Sequence, residues 1–174
     1  MSRLPEAIRS LAATLDAFEH LLAALCYIMG VLLIIQALRR AGRRSELGAG
    51  SGSWAEPIAT FVSGVALLAF PATVGVILGS LFGATTRESP QAILSFPGVE
   101  QTRGVLAGAS GLVTAIIRLI QFVGLIAIVR GILVLNAAAS GRATVGGGIT
   151  FLVAGGLAVN FPEFWQMLTQ LFVN

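Results

Sequence analysis

Charged residues are scarce in this chain of 174 residues: only 11% of them are charged, and 56% are hydrophobic. A soluble domain carries about 25% charged residues. The mean hydropathy is +0.89. A soluble fold of this size leaves about 30% of its unfolded surface exposed to water, so it could not hide this much apolar surface. The composition therefore excludes an ordinary soluble enzyme, a disordered linker and a disulfide scaffold, and it indicates a lipid-embedded protein.

Residues that carry chemistry are also missing. Lysine is absent, and cysteine, histidine and aspartate occur once each, as Cys26, His20 and Asp16. One chain can therefore form neither a disulfide nor a Cys/His metal site, and it lacks the paired aspartates of an intramembrane protease. No HExxH, P-loop or GxSxG motif is present. We expect no enzymatic activity, no metal and no cofactor. The net charge of +3 is too small to predict nucleic-acid binding.

Four apolar segments are long enough to cross a bilayer, which takes about 20 residues. They are 21–38, 58–82, 112–135 and 149–172. We predict an all-α membrane protein whose four transmembrane helices form two hairpins. Pro71 and Pro162 lie inside the second and fourth segments, and proline removes a backbone donor, so we expect a kink or a break at each. Segments that cross only half of the bilayer at these prolines are the alternative.

The first 20 residues differ from the spans. Their apolar residues recur at steps of three and four, which predicts an amphipathic helix that lies in the membrane interface or docks on a partner. This segment contains acids and lacks a cleavage site, so we expect it to be retained and not removed as a secretory signal. The expected organisation is this helix over 1–20, a first hairpin over 21–83, an extracytoplasmic loop with the start of the third helix over 84–111, and a second hairpin over 112–174.

Arginine placement near the spans predicts the orientation of the chain. Arg142 lies in the second hairpin loop, and the arginines clustered in the first loop are Arg39, Arg40, Arg43 and Arg44. The arginines on the opposite side are spread over longer segments that also hold acids. We therefore expect both hairpin loops in the cytoplasm and both termini outside.

The two hairpins resemble each other in sequence. Residues 58–71 align with 149–162, where isoleucine, valine, glycine and a Phe-Pro pair coincide. Residues 29–36 align with 123–130 at a similar offset. We interpret the chain as a duplicated hairpin whose copies keep the same orientation, related by an axis along the membrane normal. Chance similarity between spans rich in alanine, leucine and glycine is the alternative.

Glycine spacing predicts close helix packing. Gly75, Gly79 and Gly83 have the GxxxG spacing that lets helix backbones approach closely in lipid. The packing could lie within one chain or form a self-assembly surface, and the spacing does not separate the two.

Arg130 lies deep in the third span, where a charge costs about 3 kcal/mol or more, and Gln36 is its aligned residue. Glu163 is the plausible acid, but at a rise of about 1.5 Å per residue it lies roughly 30 Å from the second loop, against roughly 18 Å for Arg130. Pairing of Glu163 with Arg118 is therefore an alternative, as are a partner for Arg130 on another chain and snorkelling to the interface.

Several strings in both hairpins are recognisable. The second hairpin holds QFVGLIAIVRGILVL over 121–135 and GGITFLVAGGLAVN over 147–160, and the first holds YIMG over 27–30 and GVALLAFP over 64–71. Together they resemble the IcmC/DotE family of small inner-membrane proteins, with its DotV and plasmid TraQ relatives, of type IVB secretion and conjugation machines. The residues that carry most of the resemblance are Arg130 with Gly131, and Gly155 and Gly156 with Asn160. The first 20 residues and the 84–104 loop carry none of it.

The resemblance implies a structural, multi-pass subunit of the bacterial inner membrane, embedded in lipid as a homo-oligomer beside other membrane subunits of a secretion apparatus. Arg130 and the glycines would carry its contacts between helices or subunits. Two further functions stay open. One is a pilin-like subunit stored in the membrane and extracted into a conjugative filament. The other is a small four-helix channel or transporter, because polar side chains lie in the spans.

Overall fold

A computed structural model describes residues 3–47, 54–82, 111–161 and 164 of the chain. Within these residues the chain forms five helices and no strand, which confirms the all-helical fold class. In chain order the helices are α1 (Arg3–Leu47), α2 (Ala55–Leu68), α3 (Phe70–Phe82), α4 (Gly111–Ala139) and α5 (Val145–Val159).

Two of these helices are long and apolar enough to cross a membrane: α1 over His20–Glu46 and α4 over Ile116–Ala139. Helices α2 and α3 form a third span only if they are counted together, and they meet at an angle of 98°. Helix α5 has 15 residues, or about 22 Å of length, and the hydrocarbon core is about 30 Å thick. The described residues therefore contain two or three helices that could span a membrane, which agrees with a membrane protein. The sequence predicts four spans.

Helix α1 is much longer than its span. Its 45 residues run through residue 20 without a break, so residues 3–20, expected as a separate amphipathic helix, are the first part of α1. Pro5 lies in the first turn, where its missing N–H has no helical partner to lose. No glycine or proline lies between Pro5 and Gly30, so nothing in this stretch ends the helix.

Helix α2 ends just before the Phe70-Pro71 pair. Ala69 leaves the helical conformation, with φ −98° and ψ 40°, and α3 starts with Pro71 in its first turn. A proline inside a helix has no N–H for the carbonyl four residues earlier, and its ring clashes with that carbonyl, whereas a first turn accepts it. The expected kink at Pro71 is thus confirmed as a break two residues ahead of the proline.

Helix α5 ends in the same way. Asn160 has φ −105° and ψ 37°, two residues before Pro162, which itself lies outside the described residues. The Asn160 N–H still donates to the Gly156 carbonyl, as the Ala69 N–H does to the Val65 carbonyl. Ala69 and Asn160 are aligned in the sequence repeat, so the two Phe-Pro pairs follow the same change of backbone conformation.

Backbones touch within each hairpin at a pair of glycines. A Cβ atom added at Gly30 would lie 2.8 Å from the Gly64 carbonyl oxygen, and one added at Gly124 would lie 2.8 Å from the Gly155 carbonyl oxygen. Cβ atoms essentially never come closer than 3.0 Å to such an atom, so each crossing requires glycine. Gly30 aligns with Gly124 and Gly64 with Gly155, which places both crossings at corresponding positions of the two hairpins.

The two hairpins pack against each other through α4. Helices α1 and α2 both contact α4, and α3 contacts α5. A common apolar core forms from Cys26, Leu67, Phe70, Val74, Leu125, Ile128, Ile132 and Val159. In the last turn of α5, Gly156 lies directly against Leu81 of α3. The bend after α2 therefore directs α3 toward the second hairpin.

Substitution of Gly30, Gly124 or Gly155 by alanine should lower the free energy of unfolding by about 1–3 kcal/mol, the usual cost of overpacking. The new Cβ would meet backbone atoms, which cannot move aside as a flexible side chain can. Thermal unfolding of the purified variants in one detergent measures the loss.

Gly42→Ala and Gly146→Ala are the matched controls, because a Cβ at either position meets nothing within 4 Å. They should leave stability unchanged or raise it by up to about 1 kcal/mol. Equal losses in both sets of variants would contradict the crossings.

Candidate functional site

Arg130 is a charged residue well inside a span. It lies nine residues from the end of α4 at Ala139, which is about 13 Å along the helix. Its side chain is exposed, and its Cζ atom lies 5.2 Å from the centroid of the Phe151 ring. Such a cation–π contact contributes about 0.5–2 kcal/mol, whereas a charge in the hydrocarbon costs about 3 kcal/mol or more. Phe151 therefore positions the guanidinium without fully offsetting its cost.

Arg130 forms no ion pair with any acid in the part of the chain that the structure describes. Glu163, the acid that the sequence offers as a partner for Arg130 or Arg118, lies outside the described residues. From Phe151, which is level with Arg130, helix α5 continues for eight residues to Val159, or about 12 Å. The regular part of α5 thus ends about 12 Å beyond the level of the guanidinium.

The exposed face of α4 continues from Arg130 along the helix as an apolar stripe, the α4 stripe. Its members recur at steps of three and four and are 43–56% exposed: Ile116, Leu119, Val123 and Ile126. Residues at this spacing share one face of a helix. Gln36, the aligned counterpart of Arg130, is likewise exposed, on α1. Both deep polar residues thus lie on outer faces of their hairpins.

The second polar group lies inside the fold, at the end of α5. Gln121 is only 4% exposed, and its Nε2 donates to the Val159 carbonyl at 3.1 Å. Asn160, next to that carbonyl, is 5% exposed. In the first hairpin, the Thr73 hydroxyl donates to the Ala66 carbonyl at 2.8 Å. Side chains commonly supply such bonds to carbonyls beside a proline in membrane helices, so both side chains stabilise the broken turns.

The sequence reasoning did not predict the contacts of Gln121 and Thr73. Their signal was a polar side chain in an apolar segment of a chain whose hairpins both contain a Phe-Pro pair. The Phe151 contact of Arg130 was missed as well, because it depends on how α4 and α5 are rotated against each other.

Of the predicted GxxxG residues, Gly79 makes no close crossing within the described chain. A Cβ atom at Gly79 would meet nothing within 4 Å, Gly75 is half-buried, and Gly83 lies outside the described residues. Gly79 therefore leaves an open position on α3, and its use between chains stays a prediction.

The arginine cluster of the first loop has a structural role besides its predicted role in orientation. Arg40 Nη1 donates to Glu56 Oε1 at 2.9 Å, and Arg44 Nη2 donates to Glu56 Oε2 at 3.1 Å. The two bonds hold the start of α2 against the end of α1. Arg39 and Arg43 are exposed, which leaves both facing away from the helix pair.

A comparison with known protein families, curated proteins and solved structures finds no match to this chain. Function is therefore inferred from the geometry above and from the resemblance of the quoted strings. Within the described residues, the buried Gln121 and the half-buried Thr73 donate to backbone carbonyls, and Arg130 and Phe151 adjoin the exposed α4 stripe.

Replacing Glu56 by glutamine should lower the free energy of unfolding by about 1 kcal/mol, since it weakens two half-exposed ion pairs. The effect should shrink at about 1 M salt, which screens exposed charges. Thermal unfolding at low and high salt gives both values.

Glu46→Gln is the control: Glu46 is an exposed carboxylate on α1 that forms no ion pair with the described residues. If Glu56→Gln and Glu46→Gln behave alike, or if the loss is independent of salt, the ion pairs do not hold the two helices together.

Proposed function

We propose that this chain is a structural subunit of a membrane-embedded secretion apparatus, of the type IVB secretion or conjugation kind, in the bacterial inner membrane. The observation that carries the proposal is the exposed Arg130. Its charge lies inside a span, and among the described residues it has a contact with an aromatic ring but no ion pair. A free-standing bundle would bear the cost of that charge, and a neighbouring subunit offsets it.

Duplication of a hairpin supports the same function. We infer that the chain arose from two copies of one hairpin and inserts as four arms, two of them broken at their Phe-Pro pairs. Glycine crossings and broken turns lie at aligned positions in both copies. The copies hold a rigid unit together from within and leave outer faces free for neighbours. The arginines of the loops favour an orientation with both hairpin loops in the cytoplasm.

A structural role also accounts for the remaining polar residues. Gln121 and Thr73 bond to backbone carbonyls, and Glu56 bonds to two arginines, so these side chains already have packing roles. The resemblance of the strings over 121–135 and 147–160 points to a secretion apparatus in particular. It also names the expected neighbours, which are further copies of the chain, other membrane subunits and lipid.

A small channel is the second candidate function. The buried Gln121 Oε1, which has no hydrogen-bond partner among the described residues, favours it. Ion paths usually need several ionisable groups at matching depth, and Gln121 and Asn160 are neutral. This observation therefore supports the channel less strongly than Arg130 supports assembly.

Mild-detergent extraction from the native host, followed by native mass spectrometry and electron microscopy, tests the proposal. We expect several copies of the chain together with other secretion subunits. Gly79→Leu should reduce the number of copies per particle without lowering thermal stability, because a Cβ atom at Gly79 meets no described atom within 4 Å. Gly42→Leu, at another open position, is the control and should leave the particle unchanged.

A lone monomer that co-purifies with no secretion subunit would contradict the proposed function and favour the channel. A filament built from this chain would replace the rigid membrane subunit by the pilin-like alternative. An unchanged particle in Gly79→Leu would exclude the glycine spacing as the contact between copies.

A further inference from the structure

We propose that Arg130, Phe151 and the α4 stripe are the docking site for a transmembrane helix of a different protein, one that carries an aspartate or glutamate in the middle of its span. The inference rests on the proposed function, because it names the partner of the same assembly. The proposed carboxylate belongs to another protein. The experiment below distinguishes that protein from a second copy of this chain and from lipid.

Arg130 lies near the middle of the apolar span of α4. The apolar span of α4 runs over Ile116–Ala139, so Arg130 lies two to three residues from its middle, or about 4 Å along the axis. The edge of the hydrocarbon is then about 11 Å further away, given a half-thickness of about 15 Å. With the span centred in the bilayer, that distance is longer than an extended arginine side chain, so snorkelling would require the helix to shift along the membrane normal.

The side chain of Arg130 turns toward α5. The guanidinium does not extend along α4 toward the helix end. It lies over the ring of Phe151, on the neighbouring helix. Phe151 is 36% exposed and covers one side of the group. The donors of the guanidinium therefore remain on an open surface at hydrocarbon depth.

Charge complementarity selects the occupant. An arginine inside a membrane pairs with an acid, with backbone carbonyls or with water in a cavity. The exposed residues next to Arg130 are the apolar members of the α4 stripe, which do not line a wet cavity. A carboxylate accepts two parallel hydrogen bonds from a guanidinium and neutralises its charge. An acid at the same depth is therefore the partner group that this surface fits best.

Within the described residues, a second copy of this chain holds no acid at the depth of Arg130. Its carboxylates are Glu6, Asp16, Glu19, Glu46, Glu56, Glu88, Glu100 and Glu163. None of them lies within α4 or α5, or between His20 and Ser45 of α1. Glu56 is at the loop end of its hairpin and already bonds to two arginines. Copies related by an axis along the membrane normal keep every residue at its own depth, so no described carboxylate of a second copy meets Arg130, and the proposed acid belongs to another protein.

The α4 stripe indicates that the partner segment is an α-helix. Its exposed residues recur at steps of three and four and end at Arg130. This spacing suits an α-helix that packs along the full length of the face with side chains between those of α4. The apolar stripe would align the partner, and the ion pair would fix its register.

Site-specific photo-crosslinking in native membranes tests the proposal. Benzoylphenylalanine replaces Ile126, which is 43% exposed and one turn from Arg130, and as a control it replaces Tyr27, which is 59% exposed on α1. We expect position 126 to capture one protein that position 27 does not capture. That protein should carry an acid in the middle of a transmembrane segment.

Charge reversal then decides whether Arg130 acts through that acid. Arg130→Glu should reduce the crosslink at least about tenfold, or about 1.4 kcal/mol, and replacing the partner's acid by arginine in the same cells should restore it. Arg130→Lys should keep most of the crosslink, because it keeps the charge. Thermal unfolding of Arg130→Gln and Arg130→Glu separates loss of the contact from loss of the fold.

Capture of only a second copy of the chain, capture of only lipid, or failure of the reversed pair to restore the crosslink would each overturn the proposal. If these results occur while the chain still purifies in a secretion complex, the proposed function stands and the docking site fails. If the wild-type chain purifies as a lone monomer, the proposed function fails with it.

Discussion

The close approach of helix backbones at Gly30–Gly64 and at Gly124–Gly155 is the contact on which the rest of the molecule depends. In lipid, the hydrophobic effect no longer drives helices together, and association comes from dispersion and weak hydrogen bonds that need short distances. Glycine permits those distances, since a Cβ at any of the four positions would come within 3.0 Å of a backbone atom. Each hairpin is thereby fixed from within, and the apolar core between the hairpins can form from side chains of both.

The second helix of each hairpin ends shortly before a proline. A membrane helix must satisfy its own backbone groups, because the hydrocarbon offers no water. The break at Ala69 and the matching turn at Asn160 disturb that pattern. Thr73 and Gln121 donate to carbonyls in the affected turns. Helix α2 is therefore short, and its bend directs α3 to the second hairpin, where Leu81 packs on Gly156. The side chains of Thr73 and Gln121 thus serve the turns at the breaks.

The sequence indicated the helices and the break at Pro71 well, because apolar length and a missing N–H are local properties. It did not show that α1 would continue through residue 20, since amphipathic and apolar stretches can belong to one helix. The GxxxG spacing drew attention to Gly79, which is open, while the crossings use glycines outside such a motif. Their signal was the repeat, which aligns Gly30 with Gly124 and Gly64 with Gly155. Contacts such as Arg130 with Phe151 depend on helix rotation, which no local pattern encodes.

The aligned positions 36 and 130 show how two similar hairpins can serve different purposes. Both side chains are polar, deep and on an outer face. A neutral amide such as that of Gln36 costs far less to hold in a low-dielectric medium than a charge, and it accepts many neighbours. A guanidinium tolerates few kinds of neighbour, since only an opposite charge or several hydrogen-bond acceptors offset the cost of its transfer from water. A single change of residue type therefore gives the second hairpin a selective face and leaves the first one permissive. The two hairpins can thus share a mode of internal packing and still offer their neighbours two unlike surfaces.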